Sequence, residues 1–149
     1  STYNYQLTLN QLAIKNNNLD RKKITSWIIE YYAKLDGIAR VFELEELMAT
    51  PLNSTIKDRI ANGYFPKRSG DIQLVYLPGY MDGKYTGTTH GLWNPYDSHI
   101  PLLWYGWGVK KGNSHREVYM TDIAATVAAL LKIQMPSGCV GKVIEEVIK

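Results

Sequence analysis

The chain has 149 residues, 45% of them hydrophobic and 21% charged, with a formal net charge of +3; this is ordinary globular composition, long enough for one core. Basic doublets such as Lys67-Arg68 and Lys110-Lys111 are interleaved with Asp and Glu, so the dense basic stripe of a nucleic-acid binder is missing and no nucleic-acid partner is expected. The single cysteine, Cys139, excludes an internal disulfide and a Cys-based zinc knuckle, and no apolar run approaches the ~20 residues that cross a bilayer, so no membrane partner is expected.

Ser1–Tyr5 lacks the basic start and apolar core of a signal peptide, an absence of little weight if the chain is cut from something larger. Residues 3–9 (YNYQLTL) alternate like a half-buried strand, and Asn16-Asn17-Asn18 is a turn. Asp20 is a good N-cap for a helix whose apolar side is Ile24, Trp27, Ile28, Tyr31 and Leu35, closed by Gly37 in a left-handed conformation. Ile38–Leu44 reads as a strand, Glu45–Thr50 as a short helix, and Asn53–Asn62 as a polar helix ending at Gly63.

Asp71–Leu77 (DIQLVYL) is a buried strand between the Ser69-Gly70 and Pro78-Gly79 turns, and the apolar segment His99–Tyr105 is expected to be a central strand. Thr121 or Asp122 caps an alanine-rich helix through Leu131, with Ile123, Val127, Leu130 and Leu131 as its apolar side, and Gly141–Lys149 is a short terminal helix. Strands alternating with helices imply an α/β fold, a layered sheet with flanking helices, forming a single unit over residues 1–149.

The three histidines differ. His90, in Gly87-Thr88-Thr89-His90-Gly91, is presented by flanking glycines, which suits a metal ligand or general base and equally suits a loop histidine bonded to a nearby carbonyl. His99, at the head of an apolar segment, is better suited to orienting the loop, through a hydrogen bond to Asp97, than to ligating metal. His115, in Gly112-Asn113-Ser114-His115-Arg116, reads as an exposed hairpin residue. Asp122 is most simply a residue complementing a helix dipole. No HExxH, paired-carboxylate or phosphate-binding glycine motif occurs, and Ser69 and Ser98 lack a nucleophile elbow. The eleven Tyr and four Trp interleave with apolar positions as core or cleft wall.

Five fragments in consistent order nevertheless carry a likeness: NGYFPKRSGD (62–71), LPGY (77–80), GTTHG (87–91), YDSHIPLLWYG (96–106) and TDIAATVAALL (121–131). Together they resemble the C-terminal part of the alkaline phosphatase superfamily, nearest to periplasmic bacterial phosphatases related to nucleotide pyrophosphatases/phosphodiesterases. Most members carry proline where this chain has Ala125. The resemblance implies that His90 is a ligand to one of two catalytic zinc ions, which activate a Thr or Ser nucleophile for in-line phosphoryl transfer. It also implies that Asp97, His99 and Thr89 shape that loop.

The resemblance further implies an alkaline-phosphatase-like fold of which this chain is the C-terminal part, a phosphate ester substrate, and a periplasmic or secreted location. The nucleophile and the other ligands match no residues here. The isolated segment is therefore expected to be inactive and not to bind zinc tightly. Phosphomonoesterase is favoured over phosphodiesterase or sulfatase; from the residues alone Arg68 is a candidate anion contact, although a solvated surface position suits Lys67-Arg68 better. The alternative is a non-catalytic α/β interaction or assembly module, self-associating through an exposed aromatic face.

Overall fold

The computed structural model describes residues 2–81 and 90–148. It divides into two compact units, Ser1–Ile100 and Pro101–Lys149, although no linker-like composition marks the junction in the sequence.

The first unit is a small sheet with flanking helices, the expected α/β arrangement. Its strands are β1 (Thr2–Tyr3), β2 (Gln6–Leu7), β3 (Ile38–Glu43) and β4 (Ile72–Tyr76), ordered β1-β2-β4-β3 and all antiparallel. β4 lies between β2 and β3, so a near-continuous apolar run fits it: Ile72, Gln73, Leu74 and Val75 are all buried. Gln73 is tolerated because its amide is satisfied. Gln6 Nε2 donates to its Oε1 at 3.1 Å, and its Nε2 donates to the Tyr5 and Leu74 carbonyls at 3.1 and 3.0 Å.

Residues 3–9 are not one strand but a hairpin. Asn4 and Tyr5 turn the chain at φ 50° and 59°, the paired positive values of a tight hairpin turn. Asparagine enters that region readily; tyrosine seldom does, so alternation alone hid the turn. α1 (Gln11–Asn16), capped by Asn10, precedes the expected asparagine turn.

α2 (Arg21–Tyr32) starts as expected, with Asp20 accepting the Lys22 and Lys23 amides at 2.9 and 3.2 Å. It ends before Leu35, and the expected apolar side is largely outward: Trp27 and Tyr31 are 65% and 51% exposed and stacked on each other. Thr25 is the buried position, its hydroxyl donating to the Arg21 carbonyl. Gly37 does have a left-handed φ of 82°, but it leads into β3 rather than closing α2, and a Cβ there would overlap the Tyr80 ring.

The Glu45–Thr50 segment is a 3-10 turn over Leu44–Glu46, not an α-helix. α3 (Ser54–Gly63) is capped by Asn53, whose side chain accepts the Thr55 amide at 3.0 Å. Its Ile60 joins Phe42, Leu44, Leu47 and Val75 in the core, with Trp93 packed against them. α4 (Pro95–Ser98) is a single turn following the 90–94 segment.

The second unit is organised by α5 (Asp122–Leu131), ended by Lys132 in the left-handed region. Its buried side is Asp122, Ala125, Thr126 and Ala128, whereas Val127 and Leu131, expected inward, are exposed. Small residues face inward because the chain at 141–144 runs close to the helix: Ile144 N donates to Thr126 Oγ1 at 3.0 Å. The terminal segment is extended with one 3-10 turn, Glu145–Val147, instead of a helix. The expected central strand at 99–105 is not formed. Its apolar character is that of a strand, but no described strand offers its backbone a ladder, and Pro101 removes one donor.

Candidate functional site

His90 opens onto a cleft of ≈ 370 Å³ lined by Asn4, Tyr5, His90, Gly91 and Trp93. Two elements build it. The β1–β2 turn supplies Asn4 and Tyr5, and the 90–93 segment supplies the rest. Gly91 sits at φ 127°, where a side chain is rarely tolerated, and a Cβ there would lie 3.5 Å from the Tyr5 hydroxyl. Tyr5 is held in turn by aromatic packing: its ring meets Tyr76 edge-on at 5.0 Å, and Tyr76 stacks on Tyr80 at 5.5 Å.

The loop carrying His90 is held from several directions. Asp97, on α4, accepts the Gly91 and Leu92 amides at 2.9 and 2.7 Å, pinning the backbone immediately after His90. The Tyr96 hydroxyl accepts the Gly79 amide at 2.8 Å and the Asn94 side-chain amide at 3.0 Å, joining the segment to the turn after β4. Arg59 reaches over from α3, donating to the Trp93 carbonyl and, at 2.8 Å, to Ser98 Oγ.

Of the residues singled out in the sequence, the structure therefore brings Asp97 to the His90 loop. His99 is exposed; its backbone amide bonds to the Pro95 carbonyl at 2.9 Å, and its imidazole makes no bond to Asp97 among the described residues. Thr89 lies outside the described residues. Arg68 is exposed, lies over the Phe65 ring at 5.5 Å and does not line the cleft. His115 is exposed. Among the described residues no three His, Cys, Asp or Glu side chains gather to hold a metal ion; the cleft presents one imidazole.

Sequence reading passed over Tyr5, Trp93 and Arg59. Tyr5 and Trp93 were visible only as two aromatics among many, and Arg59 only as a charge on a polar helix. Their roles depend on contacts across 34 to 39 residues for Arg59, for which spacing within a helix carries no signal.

No family model matches the chain. It is 44% identical over 146 residues, 98% of its length, to alkaline phosphatase PhoV of Synechococcus elongatus, covering 26% of that protein. Against the crystal structure of wild-type alkaline phosphatase PafA it superposes with a TM-score of 0.91 at 43% identity, over 100% of this chain and 29% of that one. The chain is a partial alkaline-phosphatase-like segment.

The PafA sequence, from Elizabethkingia meningoseptica, is 44% identical over 97% of the chain and 27% of the protein. A protein of Myroides odoratus named as a calcium-transporting ATPase is also 44% identical, over 100% of the chain and 28% of its own length. The alkaline-phosphatase-like segment thus spans about a quarter of the length of the relatives it matches. Among its described residues no helix is long and apolar enough to cross a membrane.

Proposed function

We propose that residues 1–149 are the C-terminal portion of a larger alkaline-phosphatase-like catalytic domain, in which His90 is one protein ligand to a zinc ion of a two-zinc phosphomonoesterase centre. The observation that carries this reading is a single imidazole facing a cleft, on a loop whose next two amides are tied to Asp97, within a chain 44% identical to a named alkaline phosphatase. Two of the three relatives described above carry that name. Phosphate monoesters are favoured over diesters and sulfate esters, and a periplasmic or secreted location follows from the same likeness.

The residues present fit zinc in part. A neutral imidazole is a suitable donor, but tight binding needs several ligands pre-arranged together, and the described residues supply no such set. When bound, zinc in such a centre stabilises developing charge on the phosphoryl oxygens. This chain's own contribution is positional. Asp97 fixes the loop backbone, and Trp93 and Tyr5 wall the cleft.

The purified 149-residue chain should therefore show no turnover of p-nitrophenyl phosphate with or without added zinc; clear metal-dependent turnover would overturn the proposal. In the longer protein, His90→Ala should lower kcat/KM by at least about a hundredfold, with a loss of bound zinc.

A second reading has its own support. Leu103, Tyr105 and Trp107 are 90%, 102% and 81% exposed, and the neighbouring Trp104 indole N–H is buried without a partner among the described residues. Such a segment suits a non-catalytic assembly module, since aromatic side chains are enriched at interfaces.

A further inference from the structure

A single nitrogen of Arg59 joins the His90 segment at two points. Its Nη1 donates to the Trp93 carbonyl, three residues after His90, and at 2.8 Å to Ser98 Oγ at the end of α4. Ser98 Oγ in turn donates to the Asn94 carbonyl at 2.9 Å, so one guanidinium closes the segment into a hydrogen-bonded ring. The base of this strut is firm, because the residue after Arg59 is Ile60, 6% exposed in the core beside Phe42, Leu44 and Val75.

The segment needs such a strut. α4 is four residues long, too short to hold its own geometry, since forming a first helical turn is unfavourable without outside contacts. Yet α4 carries Asp97, whose carboxylate grips the Gly91 and Leu92 amides. A shift of α4 therefore moves the backbone next to His90.

We infer that Arg59 is a positioning residue for His90, acting through Ser98, α4 and Asp97 rather than by touching the imidazole. The consequence for catalysis rests on the zinc-ligand reading above; the positional claim does not.

Hydrogen exchange and imidazole NMR on the chain, with Arg59→Met and Arg59→Lys, test it. In Arg59→Met the Gly91 and Leu92 amides should exchange about tenfold faster, while the Leu74 and Val75 amides of β4 stay within about twofold of the parent. The His90 ring resonances should shift in Arg59→Met and return toward the parent in Arg59→Lys, which keeps a donor. Unchanged exchange and ring resonances in Arg59→Met would overturn the inference. So would equal acceleration in the loop and in β4, which would mark a general loss of stability.

In the longer protein the Met variant should also lower kcat/KM, with Lys restoring part of it. Faster loop exchange with kcat/KM unchanged would uphold the positioning role and sink the zinc-ligand reading instead.

Discussion

Asp122 stands at the start of α5 with both carboxylate oxygens engaged: Oδ1 accepts the Lys142 amide at 2.8 Å and Oδ2 the Tyr119 amide at 3.0 Å. These bonds, the Lys142 amide first, hold its carboxyl below the ordinary value of 3.8. A carboxyl so lowered takes up its proton less readily folded than unfolded. Its contribution is complete at neutral pH, erodes as the pH falls below that ordinary value, and is gone once the pH has passed the folded one. Asp122→Ala should cost about 2 kcal/mol at pH 7 and flatten the acid limb of stability, read by urea unfolding at neutral and acid pH. A neighbouring glycine is equally constrained. A Cβ on Gly141 would overlap the Thr121 carbonyl and lie 2.8 Å from the Asp122 amide nitrogen. Gly141→Ala should therefore destabilise the unit by about 2 kcal/mol, measured the same way. Sequence reading placed Asp122 at a helix start; the amide it accepts lies 20 residues further on, and no local pattern points there.

Elements whose signal is local were the most legible. The Asp20 and Asn53 caps act within three residues of themselves, and β4 announces itself by a short apolar run between turn residues. Asp20→Ala should lower stability by about 1 kcal/mol, and Leu74→Ala, on β4 at 2% exposure, by about 3 kcal/mol; thermal and urea unfolding followed by circular dichroism would compare them. The apolar faces were less legible. Helical spacing groups Trp27 with Tyr31 correctly, and they do stack at 5.7 Å, but spacing says only which residues share a face, not whether another element covers it. The same holds at 99–105, where strand-like residues lie outside any ladder. Arg21 shows the converse. An unremarked residue near a helix start, it pairs with Glu43 at 3.0 Å and Asp71 at 3.4 Å, bracing α2 on β3 and the entry to β4; these pairs are partly solvated and worth little individually.

At the scale of the molecule, the chain spans about a quarter of its relatives' length and exposes large apolar side chains, Leu103, Tyr105 and Trp107 among them. On the assembly-module reading, exposed aromatic side chains of this kind favour association. Sedimentation velocity at several concentrations should show a concentration-dependent rise in sedimentation coefficient, reduced by Tyr105→Ser with Trp107→Ser. A single monomeric species throughout would count against it.

The sequence by itself determined the α/β class, the main helices and the buried strand, the accessible histidine and the kinship, because caps, turns, short-range periodicity and ordered motifs are written within a few residues of each other. Tertiary structure decided the rest. It turned residues 3–9 into a hairpin, set Tyr5 and Trp93 as walls of the His90 cleft, tied the loop to Asp97 and Arg59, and withheld a ladder from 99–105. Each of those outcomes depends on which distant backbone groups come within hydrogen-bonding reach, a property of the folded chain that no local pattern encodes.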